Sequence, residues 1–304
     1  MKQRNQNLRA WTALFAIYFI WGTTYLAGAF ALSGFPPFTI SAIRYLAAGL
    51  LLSLVLGIKE ISFPQRKYWR VLAVSGILML CGGSGLVIVG EQYISSGSAA
   101  VIMATEPLFF ILLDRSRWRE YFSNKRLIAG LVTGFAGLAF FTYFSPAGHP
   151  PVEPRPVLGT LITLISAVCW VVGALYAKRK VPAGAGNLSN SAIQLLAAGL
   201  FAALVAGIKG EWAGLNLQAI PFKAWAGIAY LVVMGSLVAF LAFNWLITVK
   251  PPAVVSTHTY VNPAVAILMG WLLAAEPVNA LQLIALAVVL TGVLLSQSRR
   301  NAAT

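Results

Sequence analysis

The chain has 304 residues, of which 59% are apolar and 10% charged, with a mean hydropathy of +0.80. A soluble domain carries roughly 25% charged residues, so this chain cannot clothe itself in charge on all sides and belongs in a membrane. The net charge of +14 invites a nucleic-acid reading, but the basic residues fall between apolar runs, where topology and contact with anionic headgroups account for them.

Ten apolar runs follow one another, at roughly 11–31, 38–57, 70–90, 96–113, 126–144, 157–177, 188–208, 223–246, 252–274 and 280–297. A helix rises about 1.5 Å per residue, so each run can cross a hydrocarbon core of about 30 Å. Backbone polar groups must be satisfied within the segment in lipid, which makes each run a helix. A membrane barrel would instead show alternating segments of about ten residues. The fold class expected is therefore an all-α polytopic membrane protein with ten transmembrane helices.

The first run follows Lys2, Arg4 and Arg9 and contains Ala27-Gly28-Ala29, a small-residue pattern like a signal cleavage site. It is long for a signal peptide, and a later run repeats it. Of the 22 Lys and Arg residues, eighteen lie in the tails and alternate loops on one side, and only Arg155, Lys209 and Lys223 lie on the other. The positive-inside rule then places both termini in the cytoplasm. Arg44 is the one basic residue outside that count, and it lies well inside the second run. Cys81 and Cys169 sit in apolar runs as small hydrophobes.

The chain also repeats itself. "AIRYLAAGL" at 42–50 returns as "AIQLLAAGL" at 192–200, matching at seven of nine positions. Trp21 has a counterpart in Trp170, Pro107 in Pro263 and Gly137 in Gly292. The expected units are 1–150 and 151–304, with five helices each. Five is odd, so the second unit enters the membrane inverted. Inverted repeats recur in secondary transporters, with the substrate site near the midplane between the units.

Several stretches carry a resemblance. "FIWGTTYLAGAF" in the first run, "AIRYLAAGLLLSLVLG" in the second, Glu106-Pro107 in the fourth, Asn262-Pro263 in the ninth and "LQLIALAVVLTGVLLS" in the tenth resemble the drug/metabolite transporter superfamily. More narrowly, they resemble its bacterial ten-helix EamA-type exporters of amino acids, aromatic ones included, and other metabolites. The resemblance covers nearly the whole chain. It departs after the fourth run, where a Gly-Glu pair is often found and this chain reads "LLDRSRWRE". Through the repeat, Glu276 corresponds to Glu120. The resemblance implies that helices 1, 3, 4, 6, 8 and 9 surround a cavity, with 2, 5, 7 and 10 more peripheral. It also implies residence in the bacterial cytoplasmic membrane.

Glu106 is the sharpest candidate. An acid near the bilayer centre costs about 2.5–3.5 kcal/mol on insertion scales and faces protein or a wet cavity. Either it contacts a proton or a substrate ammonium, or Arg44 neutralises it. The repeat equates Glu106 with Asn262 and Arg44 with Gln194, so an Arg44–Glu106 pair is expected in one unit and a Gln194–Asn262 pair in the other. Pro107 and Pro263 each remove a backbone donor, giving a packed kink or a hinge.

Tyr18, Trp21 and Tyr25 share one helical face. Trp21 lies about 15 Å along its helix, near the midplane, and Trp170 repeats it. His258 and Tyr260 flank Asn262. Ser98, Thr105 and Thr257 suit either a cavity wall or interhelical hydrogen bonding. Gly130, Gly134 and Gly137 read as a close packing face or a dimer face.

Gly82-Gly83-Ser84-Gly85 matches a short pattern around the nucleophile of intramembrane serine proteases, with His258 as a possible base. No HExxH, P-loop or dinucleotide fingerprint appears, and no cofactor or metal is called for. The expectation is a carrier of small amphipathic metabolites, in contact with lipid and acting as a monomer or weak homodimer. A passive channel or scramblase is the alternative, and a protease a remote one.

Overall fold

A computed structural model describes residues 2–115, 118–144, 155–182, 186–250, 255 and 258–297. Among the described residues there are ten long helices: α1 (Lys2–Leu32), α2 (Pro37–Ile58), α3 (Arg66–Gly90), α4 (Ser96–Leu113), α5 (Lys125–Phe144), α6 (Pro156–Lys180), α7 (Asn187–Ile208), α8 (Phe222–Ile247), α9 (His258–Ala274) and α10 (Ala280–Gln297). A short helix, Trp118–Phe122, precedes α5. Seven of the ten are by themselves long and apolar enough to cross a membrane.

The helix ends follow from local chemistry. Pro37 opens α2 and Pro156 opens α6, where the fixed φ of proline suits the first turn and its missing N–H would be unpaired anyway. The repeated α2 and α7 stop in the same way. Lys59 N bonds Val55 O and Ile61 N bonds Leu56 O, while Lys209 N bonds Val205 O and Glu211 N bonds Ala206 O. The residue that turns the chain is left-handed in both, Glu60 at φ +53 and Gly210 at φ +69. Gly210 meets that demand without strain, and Glu60 adopts a region that L side chains visit seldom.

Burial repeats too. Ala42, Tyr45, Ala48, Leu52 and Leu56 are buried on α2, as are Ala192, Leu195, Ala198, Ala202 and Ala206 on α7. Leu50, Leu54 and Ile58 are exposed, and so are their equivalents Leu200, Leu204 and Ile208. An apolar face of this size on a membrane helix is lipid-facing.

Equivalent helices of the two units make equivalent contacts. Helix α2 packs on α7, and α5 on α10; α1 packs on α8 and α9, while α6 packs on α3 and α4. Lipid gives little hydrophobic drive for helix association, so close backbone approach at small residues does the work. A methyl on Gly49 would meet Leu196 at 2.9 Å, and one on Gly199 would meet the Leu46 nitrogen at 2.7 Å. Gly137 likewise abuts Val288 and Val289 of α10, and Gly292 abuts Gly134 and the Gly130 carbonyl of α5. The glycine face of α5 is thus occupied by α10 of the same chain, not left open as a dimer face.

Two helices carry an unforeseen feature at equivalent places. Ile77–Gly85 of α3 and Leu231–Ala239 of α8 are π-helical. Such wide turns are rare and cluster at functional sites. In α3 the carbonyls of that stretch serve neighbouring helices. Leu80 O accepts from the Tyr45 hydroxyl at 3.0 Å and Gly83 O accepts from Ser166 Oγ at 2.9 Å.

Helix α4 is interrupted between Ser96–Met103 and Glu106–Leu113. There the bonding tightens, with Thr105 N to Ile102 O and Leu108 N to Thr105 O. Pro107 has no N–H to continue the regular ladder, so the break sits where the sequence placed the kink. Pro263, by contrast, lies inside a continuous α9.

Candidate functional site

A cavity lies between the two units. It is lined by Trp21, Thr24 and Tyr25 of α1, Arg44 of α2, Ser84, Val87 and Ile88 of α3, Glu91, Ala100, Met103, Ala104 and Glu106 from the α3–α4 linker and α4, Trp170 of α6, and His258, Thr259 and Asn262 of α9. Its volume is about 70 Å³, room for a few waters. Helix α8 stands just behind the wall. Helix α2, expected to be peripheral, sends Arg44 in.

An aromatic cluster forms the centre. The Trp21 ring lies edge-on to Trp170 at 5.8 Å and to His258 at 4.9 Å, and Phe243 of α8 is 5.1 Å from Trp21 and 6.0 Å from Trp170. Edge-to-face rings at these separations gain energy beyond simple burial. Four helices, α1, α6, α8 and α9, therefore meet through rings. Phe243 was not singled out in the sequence, because one Phe in an apolar run carries no signal.

Asn262 holds α9 to α1. With its amide oriented to satisfy both ends, the nitrogen donates to Tyr18 O at 3.0 Å and His258 O at 2.9 Å, and the oxygen accepts from His258 Nδ1 at 3.2 Å. That arrangement fixes the tautomer and leaves Nε2 of His258 as an acceptor. Tyr18 thus joins this arrangement by its carbonyl, not as part of the cavity wall.

The two expected pairs do not form. Arg44 donates from Nε to Ser236 Oγ of α8 at 2.8 Å and stacks 5.0 Å from the Tyr45 ring. Gln194 donates to Ser75 Oγ of α3 at 3.1 Å. The reason is packing: α2 lies against α7, α8 and α3, and α7 against α2, α3 and α8. Each polar side chain therefore meets the other unit's third helix. Arg44 and Glu106 face the same cavity without an ion pair, and Asn262 is taken up by His258 and Tyr18.

Glu106 is buried at 7% exposure. The indole N–H of Trp170 faces its carboxyl, but that N–H makes no hydrogen bond of good geometry. Thr105 is fully buried and donates to Ile102 O, and Ser98 is engaged with Ser95 at the start of α4. Neither lines the cavity. Thr257 and the side chain of Tyr260 lie outside the described residues. Ser84 and His258 line the same cavity, yet the His258 Nδ1 partner is Asn262 and no hydrogen bond joins it to Ser84.

Glu91 went unremarked because it follows Gly90 at the end of an apolar run and reads as a loop acid. It is 3% exposed, and neither carboxylate oxygen has a hydrogen-bond partner. Glu276 caps α4 instead of lining the cavity. Its Oε1 accepts from Ser96 N and Oγ at 3.0 and 2.7 Å, and its Oε2 from Gly97 N at 3.2 Å. Glu211 does the same for α2, accepting from Thr39 N at 2.8 Å. Carboxylates at helix N-termini satisfy free N–H groups and the helix dipole.

The family model of EamA-like transporters matches the chain twice, over residues 9–143 and 157–297. The chain belongs to the EamA-like transporter family. Among its relatives is an Escherichia coli K12 protein called the uncharacterized inner membrane transporter YedA, 33% identical over 95% of this chain and 91% of that protein. The uncharacterized transporter YvbV of Bacillus subtilis is 26% identical over 99% and 95% of the two chains. Protein PecM of Dickeya dadantii is 25% identical over 91% and 89%. A solved crystal structure superposes with a TM-score of 0.62 over 94% of this chain and 96% of its own, at 19% identity, and shares the fold. Membership of this family makes the chain a multi-pass membrane transporter of small molecules, built as two five-helix repeats.

Proposed function

We propose that the protein exports small amphipathic metabolites, amino acids with apolar or aromatic side chains among them, across the bacterial cytoplasmic membrane by alternating access. The observation that carries this reading is the makeup of the central cavity. Rings from α1 and α6 offer apolar surface, Arg44 offers a cation suited to a carboxylate, and Glu106 offers an acid suited to an ammonium. A zwitterion with an apolar side chain needs all three. The cavity of about 70 Å³ holds only a few waters, so a guest of this size requires the helices to part. The paired packing of α2 on α7 and α5 on α10 supports a mechanism in which the two units exchange shapes, opening one end and then the other. The basic end of the bundle is assigned to the cytoplasm on the eighteen-to-three split of Lys and Arg.

Counterflow in liposomes tests the reading. Vesicles containing the purified protein and loaded with unlabelled phenylalanine should accumulate labelled phenylalanine transiently, with saturation. Flux that rises linearly with concentration, without counterflow, would speak for a passive channel.

A further inference from the structure

We propose that Glu91 is an ammonium-binding subsite of the cavity, taking a primary amine attached to an apolar body and giving up a proton to do so. The proposal deepens the transport reading above and rests on it for the location of the substrate. Glu91 is buried at 3% exposure, and both of its carboxyl oxygens lack a partner while its side chain lines the cavity. An ionised carboxylate so placed would be uncompensated, which is costly in a water-poor interior. The group is completed either by a proton or by a cation entering the cavity.

The surroundings favour a cation. From α1, Tyr25 lines the same cavity, and Gly28 leaves the carboxyl room, since a methyl there would stand 2.5 Å from Oε2. From α2, Arg44 acts on Glu91 only at longer range and is hydrogen bonded to Ser236. From α4 comes the acid Glu106, and from the segment after α9 comes the acid Glu276, already engaged as a cap. Helix α6 packs nearby through Gly159 and Thr163, which carry no charge, and Tyr93 follows in the linker itself. No cation lies within ion-pair distance of Glu91 among the described residues. No cluster of three or more His, Cys, Asp or Glu side chains able to hold a metal ion occurs among them either. Aromatic walls favour an organic ammonium through cation–π attraction. On binding, an ammonium N–H donates to the Glu91 carboxylate, and the proton that had neutralised it passes to solvent.

The test uses 2-phenylethylamine as the cationic probe and 3-phenylpropionate as an anion of similar size. Calorimetric titration of the detergent-purified full chain, in buffers of differing ionisation enthalpy, reads affinity and proton release together. The wild type should bind the amine with proton release. Glu91→Gln should weaken amine binding about 10- to 100-fold, the range for losing a hydrogen bond to a charged group, and should abolish the release. Unchanged amine affinity in the variant, no amine binding by the wild type, or binding without proton release each overturns the proposal. If Glu91→Gln does not fold, Glu91→Asp, which draws the carboxylate back by one methylene, should weaken amine binding while leaving 3-phenylpropionate unaffected, and an unchanged amine affinity in that variant overturns the proposal. Phenylalanine counterflow together with an unaffected Glu91→Gln would sink the subsite and leave the transport reading standing. Glu91-dependent amine binding without counterflow of any amino acid would do the reverse.

Discussion

Arg44 of α2 reaches across the repeat boundary to Ser236 of α8, with Nε 2.8 Å from Oγ. Its equivalent, Gln194 of α7, reaches Ser75 of α3 at 3.1 Å. The two units are thus tied by a reciprocal pair of polar contacts, each made beside or within a π-helical stretch.

Ser236→Ala should strip Arg44 of its Nε acceptor in a buried site. Polar contacts between membrane helices average about 0.6 kcal/mol and reach about 1.7, and the charged donor places this one toward the upper end. A double-mutant cycle with Arg44→Gln, read by reversible unfolding in mixed detergent, should show coupling of about 1 kcal/mol. Additive losses would mean that the contact contributes nothing.

Gly199→Ala should destabilise the protein by about 1–3 kcal/mol, because the new methyl would sit 2.7 Å from the Leu46 backbone nitrogen. Gly57→Ala serves as the control. Nothing lies within 4 Å of a methyl there, so the replacement should be neutral or stabilise by about 0.4–1 kcal/mol. Equal melting shifts for the two variants would contradict the close approach of α2 and α7.

Trp21→Leu keeps an apolar side chain but removes the ring that touches Trp170, Phe243 and His258. Counterflow should fall at least about tenfold, equivalent to about 1.4 kcal/mol, with a smaller effect on melting. Normal kinetics in a well-expressed variant would remove Trp21 from the transport path.

Much of the fold was legible because a repeat declares equivalence. The match of 42–50 with 192–200 is carried into the structure as the same burial pattern on α2 and α7, down to the exposed Leu50 and Leu200. Equivalence is not contact, however. Arg44 and Glu106 differ together from Gln194 and Asn262, and that joint change suggested two touching pairs. Each helix instead faces the opposite unit, so Arg44 and Gln194 each meet a serine of the other unit's third helix and not the residue paired with them by the repeat. The π-helical stretches at 77–85 and 231–239 leave no mark in hydropathy, which counts apolar residues and not hydrogen-bond spacing. Glu91 was missed for a related reason. A charge at the end of an apolar run looks solvated, and only packing against Gly28 shows that it is buried.

A reporter fused to either terminus should read cytoplasmic, and one inserted in the 146–156 loop should read external. The alternation of loop charge predicts this. A cytoplasmic reading for that loop would break the assignment of the basic end to the cytoplasm.

The most direct test of alternating access is the accessibility of one cavity position from the two sides. Thr24 lines the cavity, and Thr24→Cys in a background of Cys81→Ala and Cys169→Ala provides a single thiol. A membrane-impermeant maleimide should label it in both right-side-out and inside-out vesicles, and saturating substrate should slow labelling from each side. Labelling confined to one vesicle orientation, with or without substrate, would contradict alternating access through the cavity between the repeats.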